Sequence, residues 1–118
     1  ATLRDREARY RSLFESIDAG FCIIEVLFDD HGRPQDYRFV EVNPAFERHT
    51  GLKNAVGRRA LEMLPDLGRE WIEIYGRVAL SGQAERFQRR EAAMERVFDV
   101  YAFRIGDPQS RHVALLFN

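Results

Sequence analysis

The sequence contains five side chains that could do chemistry at a buried site: a cysteine, a histidine and three carboxylates within predicted strands. A thiolate can act as a nucleophile, an imidazole can transfer protons or ligate a metal, and paired carboxylates can perform acid–base catalysis. The sequence has no G-x-S-x-G, H-E-x-x-H, Walker or G-x-G-x-x-G motif to organise them. We therefore predict no catalytic residue and no metal site. The five are Cys22, Glu25, Glu41, His49 and Asp99.

Cys22 lies in an apolar strand, on the face opposite Glu25. That face is expected to point towards the core, where a thiol usually packs as a small inert hydrophobe, and a redox role is the alternative. Because the chain has one cysteine, it cannot form an internal disulfide, which fits a cytosolic compartment. The residues that share its face are Ile24, Val26 and Phe28.

His49 follows Phe46 on a short predicted helix, on or near the face that buries the phenylalanine ring. It could direct a polar group into a cavity. The interpretation that we favour is a partly exposed imidazole that is hydrogen-bonded to backbone. A single histidine without carboxylate or cysteine neighbours makes no metal site.

The three strand carboxylates could perform acid–base catalysis only if two of them pointed inwards. We instead expect all three on the outer face of a sheet, opposite arginines such as Arg38 and Arg104. Salt bridges on such a surface contribute little to stability and nothing to catalysis. These residues therefore give no support to an enzyme.

Length and composition indicate one soluble globular domain. The chain has 118 residues, 45% hydrophobic and 31% charged, with a formal net charge of −1, which argues against a nucleic-acid surface. The longest apolar runs, at 21–24, 26–28 and 113–117, are much shorter than the roughly 20 residues that cross a bilayer. No signal-peptide pattern opens the chain. We predict a cytoplasmic domain spanning residues 1–118, without membrane insertion.

Hydrophobic periodicity divides the chain into helices and strands. Apolar residues recur at helical spacing from Tyr10 to Ile17, whereas GFCIIEVLF and QDYRFVEV flank the turn DDHGRP and form a predicted antiparallel hairpin. A short helix follows in PAFERHT. Its caps are strong signals: Asn43 is a preferred N-cap, Pro44 suits the first helical position and Gly51 suits a left-handed C-terminal position.

A longer helix is predicted between Gly68 and Gly82, after short helical turns broken by Gly57 and Pro65. Gly76 inside it should cost about 1 kcal/mol relative to alanine, which indicates either a close neighbour at that point or a tolerated defect. Three further strands are expected in AERFQRREAA, VFDVYAFRI and HVALLF, the first being the weakest prediction. Helices grouped between strands indicate an antiparallel sheet, hence an α+β domain. The apolar face of the long helix carries Trp71, Tyr75 and Val78.

Four stretches resemble one known family, the PAS domain: VNPAFERHTG, GRRALEMLP, VALSGQ and VFDVYAF. The resemblance covers nearly the whole chain. It implies a five-stranded antiparallel sheet with helices packed on one face, an N-terminal capping helix in residues 1–19 and a PAS core in residues 20–118. In this fold the short helix forms one wall of a central cavity, so Asn43, Pro44 and Gly51 would fix that wall.

The resemblance also bears on cofactors. Flavin-adduct PAS domains carry a reactive cysteine in an N-C-R-F-L-Q stretch where this chain has Ala60, so no covalent flavin adduct is expected. Haem-binding members use a histidine on the long helix, and residues 68–82 contain none, so haem is not expected. A noncovalent flavin, a small organic acid, a fatty-acid-like molecule and a filled core all stay open. The candidate pocket residues, taken from strand phases and helix faces, are Ile24, Val26, Phe46, His49, Tyr75, Ala79, Phe98 and Val100.

The resemblance implies a sensing and dimerising module of a larger cytoplasmic signalling protein. That protein would be a bacterial sensor histidine kinase of a two-component system or a cyclic-dinucleotide enzyme, with its catalytic output in another domain. The chain stops at LFN, where PAS domains commonly continue into an Asp-Ile-Thr linker, which fits a fragment. The alternative is a stand-alone small α+β enzyme that uses the same pocket for a small organic substrate.

A homodimer is expected through the N-terminal helix and the outer sheet face. Leu3, Tyr10 and Ile17 recur every seven residues, although Arg6 and Glu7 interrupt the seam. The alternative is that this helix folds back on its own sheet and the domain is monomeric. The candidate dimer-face residues are Leu3, Tyr10, Leu13, Phe14, Ile17, Tyr101 and Phe103.

Overall fold

The computed structural model describes residues 3–118. Residues 1 and 2 of the predicted N-terminal segment lie outside the described residues. The elements, in chain order, are α1 (Leu3–Ser16), β1 (Gly20–Phe28), β2 (Pro34–Val42), α2 (Pro44–Thr50), α3 (Ala60–Met63), α4 (Arg69–Ser81), β3 (Glu85–Glu91), β4 (Arg96–Arg104), a 3-10 turn (Pro108–Ser110) and β5 (His112–Phe117).

The five strands form one antiparallel sheet in the order β2-β1-β5-β4-β3. This confirms the predicted α+β class and the weak strand prediction in AERFQRREAA. Two local hairpins, β1–β2 and β3–β4, are joined by β5, which pairs with β1 on one side and β4 on the other. Among residues 3–118, no helix is long and apolar enough to cross a bilayer.

The strand phases follow the period-two pattern of the sequence. In β4, Phe98, Val100 and Ala102 are buried, whereas Val97 is 60% exposed and Tyr101 is half-buried. Helices α2, α3 and α4 cover the inner face. The core therefore lies between one sheet face and three helices, whereas α1 touches the opposite face through Phe14 and Phe21.

Gly76 lies where α4 crosses the start of β2. A Cβ atom added to this glycine would come within 2.6 Å of both Cβ and Cγ of Pro34. Of the two interpretations left open by the sequence, the structure favours a close neighbour, which is the proline ring that opens β2. The absence of a side chain at Gly76 lets the long helix pack directly on this strand.

Replacing Gly76 with alanine is expected to destabilise the domain by about 1–2 kcal/mol, because overpacking against a rigid ring outweighs the gain in helix propensity. Urea denaturation measures the change. In a Pro34→Gly background the same substitution should become neutral or stabilising, because the clashing ring is gone. A stabilising Gly76→Ala change in the otherwise native chain would contradict this contact.

Candidate ligand-binding cavity

A cavity of about 50 Å³ lies between the inner sheet face and the helices. An engineered cavity of roughly 150 Å³ holds benzene, so this one has room for a few waters or a smaller organic molecule. A flavin or haem would need large movements of the walls. The lining residues are Cys22, Tyr37, Phe39, Phe46, Thr50, Leu52, Leu64, Leu67, Trp71, Tyr75, Met94, Phe98, Val100, Leu115 and Phe117.

Aromatic rings form much of the cavity wall, and they pack edge to face. The Phe46 ring centroid lies 5.3 Å from that of Phe39 and 5.9 Å from that of Phe117, which in turn lies 5.6 Å from that of Phe98. Such pairs add about 0.5–1.5 kcal/mol each beyond their buried area. The wall contributed by α2 is therefore held by ring contacts to both β2 and β5.

The N-terminus of α2 is held by Asn43, which is 1% exposed. Its Oδ1 accepts hydrogen bonds from the backbone N–H of Phe46 and of Phe21, both at 2.9 Å, and its Nδ2 donates to the carbonyl of Ala19 at 3.1 Å. One side chain thus caps the helix and ties it to the segment that leads into β1. Pro44 occupies the first turn of the helix.

The C-terminus of α2 is held at the same segment. His49 Nε2 lies 3.0 Å from the carbonyl oxygen of Asp18, and the His49 carbonyl accepts a hydrogen bond from the Arg96 guanidinium. Gly51 ends the helix with φ +76°, and its N–H donates to the carbonyl of Glu47 at 2.7 Å. Both ends of α2 are therefore bonded to residues 18–21, which join α1 to β1.

The structure brings together half of the predicted pocket residues. Phe46, Tyr75, Phe98 and Val100 line the cavity. Ile24, Val26 and Ala79 are buried in the core but do not line this space, and His49 is half-buried outside it.

Five of the remaining lining residues were missed for two reasons. Tyr37 and Phe39 alternate in β2 in phase with the inner face, a signal that could have found them. Leu52, Leu64 and Met94 come from loops and short turns that have no periodicity to read. Ala60, which occupies the position of the flavin-reactive cysteine, is fully buried.

Glu91 is a buried carboxylate at the end of β3 that the sequence did not single out. It is 3% exposed, and its Oε2 accepts a hydrogen bond from the Trp71 indole N–H at 2.8 Å, while Oε1 accepts one from the Ala93 N–H at 3.3 Å. These bonds fix the β3–β4 turn next to α4. Met94 in that turn lines the cavity, so Glu91 positions part of its wall.

The predicted outer-face carboxylates have different partners. Glu25 forms a salt bridge with Arg38 at 3.1 Å, and Glu41 accepts a hydrogen bond from the Tyr10 hydroxyl at 3.2 Å. Arg104 was expected opposite a carboxylate, but it donates to the Ala79 and Leu80 carbonyls near the end of α4, where the negative end of the helix dipole favours a cation. Within residues 3–118, no group of three acidic, histidine or cysteine side chains could hold a metal ion.

Burial determines the chemistry of the one thiol. Cys22 is 1% exposed, and desolvation raises its pKa far above the ordinary value. The side chain is therefore a neutral thiol at physiological pH. This agrees with an inert packing role and leaves little thiolate for redox chemistry.

We expect native Cys22 to react with Ellman's reagent roughly a thousandfold or more slowly than the unfolded chain, because reaction requires global opening. Absorbance at neutral pH follows the released thiolate, and the same protein in urea is the reference. Rapid labelling of the folded domain would contradict the observed burial.

The candidate dimer face, on α1 and the outer side of the sheet, is only partly buried within the domain itself. Leu3, Tyr10 and Leu13 are 73%, 48% and 66% exposed, and none of the described residues of α1 is buried. The Tyr101 and Phe103 rings lie 5.3 Å apart on the outer sheet face, where both are half-buried. The helix thus touches its own sheet and still presents apolar side chains to solvent.

A family model described as a PAS domain matches residues 8–111 of this chain. The chain has 16% sequence identity and a TM-score of 0.63 with the PAS domain of an HTR-like protein from Haloarcula marismortui, and the match covers 98% of both chains. A sensory box sensor histidine kinase from Vibrio cholerae matches at 16% identity and a TM-score of 0.57, over 98% of this chain and 91% of that one.

A domain of a putative light and redox sensing histidine kinase from Haloarcula marismortui matches at 16% identity and a TM-score of 0.58, over 94% of this chain and 97% of that one. No curated protein matches the chain significantly. These structures establish the fold, and the family model covers most of the sequence. The chain belongs to the PAS domain family.

Proposed function

We propose that this domain is a signal-sensing and dimerisation module of a larger cytoplasmic signalling protein, with the output activity in another domain. The observation that carries the proposal is the placement of α2. Its inner face, at Phe46 and Thr50, lines the cavity, while both of its ends are hydrogen-bonded to residues 18–21. A change in the shape of the cavity can therefore be transmitted to α1 through α2 and residues 18–21.

The structural neighbours also support a role in signal sensing. Two of them are named as histidine kinases, and we infer a two-component setting for the present chain. Sensing would operate as a population shift: occupation of the cavity favours one position of α2, and with it one arrangement of α1 relative to the sheet.

A stand-alone enzyme is the weaker alternative. No carboxylate, histidine, lysine or arginine lines the cavity among the described residues. Its ionisable groups are a thiol and two phenols, and burial raises the pKa of each of them. All three are therefore neutral at physiological pH, and the cavity offers no general base.

Coupling between the cavity and α1 can be tested by amide hydrogen exchange. We expect Phe46→Leu to speed exchange at residues 18–21 and in the second half of α1, because it loosens α2. The matched control is Ile72→Val, a buried substitution on α4 that does not line the cavity. Equal effects of the two variants on residues 18–21 would contradict the proposed route.

Dimerisation is tested by sedimentation velocity at tens of micromolar. The exposed apolar side chains of α1 give the sharpest variant, Leu3→Glu with Leu13→Glu, which should convert a dimer to a monomer without loss of stability. Val56→Glu is the control, since Val56 is 57% exposed but lies in a loop outside the candidate face. A monomeric native chain, or a dimer that survives the double substitution, would rule out this interface.

A further inference from the structure

Two tyrosine side chains in the cavity wall have hydroxyl groups with no protein partner. Tyr37 is 6% exposed and Tyr75 is 3% exposed, and both line the cavity. Neither hydroxyl forms a hydrogen bond with any residue in the described part of the chain. Because no fully buried polar side-chain atom there lacks a partner, each hydroxyl oxygen keeps some accessible surface, which we assign to the cavity that both residues line.

The two hydroxyls belong to one site. The rings of Tyr37 and Tyr75 pack edge to face with centroids 5.3 Å apart. Tyrosine hydroxyls that are buried usually find a hydrogen-bond partner, because an unsatisfied donor costs about 1–3 kcal/mol. Two unpaired phenols beside the same cavity are therefore a feature that a ligand could satisfy.

The rest of the wall limits what that ligand can be. Thr50 is already satisfied, since its hydroxyl donates to the Phe46 carbonyl at 2.8 Å and accepts from the Leu52 N–H at 3.1 Å. The remaining lining side chains are apolar apart from the Cys22 thiol, and none of them is charged. An ion would lose its hydration without gaining a counter-charge.

We propose that the cavity binds a small uncharged molecule with an apolar body and one carbonyl or hydroxyl group, which the hydroxyls of Tyr37 and Tyr75 recognise. The volume of about 50 Å³ selects molecules smaller than benzene, such as short aliphatic ketones and alcohols. This assignment rests on the proposed sensing function and gives it a ligand class. The two tyrosines then determine specificity, and the aromatic wall supplies the apolar contact.

The test uses acetone as the probe and xenon as a purely apolar reference. Binding is followed by ¹H–¹⁵N chemical shifts and by the fluorescence of Trp71, the one tryptophan of the chain, which lines the cavity. We expect acetone to perturb cavity residues in the native protein. Its affinity should fall by about tenfold or more in the Tyr37→Phe, Tyr75→Phe double variant, while xenon binding is retained.

Equal affinity of the native and double-variant proteins for acetone, or binding of xenon alone, would overturn the assignment. The stability of the variants is a second readout. Because the hydroxyls have no partner, Tyr75→Phe should leave the free energy of unfolding unchanged or raise it, and a clear loss would also count against the proposal.

This test and the hydrogen-exchange test of coupling between α2 and α1 can fail separately. If the ligand test fails while the coupling is observed, the ligand class is wrong but the sensing function stands. If acetone binds without any change in α1 exchange, the sensing function is wrong instead.

Discussion

Asn43→Ala is expected to lower the free energy of unfolding by about 3–5 kcal/mol, far more than an ordinary helix cap contributes. The substitution removes the N-cap bond to Phe46, which alone should cost about 1 kcal/mol. It also removes the Asn43 side chain as a partner of the Phe21 N–H and the Ala19 carbonyl, in a partly buried setting. Each such group adds about 1–3 kcal/mol.

Urea denaturation monitored by far-UV circular dichroism measures this loss. Asp107→Ala is the matched control, because the Asp107 carboxylate caps the 3-10 turn through one bond, from the Gln109 N–H at 2.8 Å, at an exposed site. It should cost no more than about 1 kcal/mol. Equal losses in the two variants would mean that the bonds from Asn43 to residues 19 and 21 add nothing.

Phe46→Ala is expected to cost about 3–5 kcal/mol, the range typical of removing a buried phenylalanine ring. Phe46 is 2% exposed and packs on the Phe39 and Phe117 rings. The void would merge with the existing cavity, so the enlarged space should accept benzene, as engineered apolar cavities do. A benzene-dependent rise in the melting temperature would report this.

The control for this experiment is the native domain, whose smaller cavity should show little stabilisation by benzene. Phe46→Leu should lose less stability than Phe46→Ala because it leaves a smaller void. If Phe46→Ala costs less than about 1 kcal/mol, α2 collapses into the space, and its position is not fixed by the ring contacts.

The helices and strands could be predicted because residues at their own ends define where they begin and stop. The Asn43–Pro44 start of α2 and the glycines on either side of α4 are residues whose own backbone preferences end helices. The strand phases were readable from Glu25 in β1 and Asp99 in β4, because each acidic residue marks the outer face of an otherwise mostly apolar strand. A close neighbour at Gly76 was one of two interpretations, beside a tolerated defect, and its partner Pro34 could not be named from helix periodicity alone.

The cavity could be predicted only in part. Its lining depends on which inward side chains leave space between them, and that is decided by packing across elements rather than by phase. Ala79 and Tyr75 both face inwards from α4, yet only Tyr75 reaches the void. Glu91 was missed because a carboxylate in a charged strand normally faces solvent, and its burial follows from the indole N–H of Trp71 on another element.

The place of β5 in the middle of the sheet has a consequence for folding kinetics. The β1–β2 and β3–β4 hairpins can each close early, because their strands are neighbours in sequence, but the pairing of Gly20 with Phe117 spans almost the whole chain. Contacts of such high sequence separation slow folding, since loop-closure entropy is lost before they form. During synthesis, β1 and β4 each keep one unpaired edge until β5 has been made. Insertion of β5 between the two hairpins is the expected rate-limiting step.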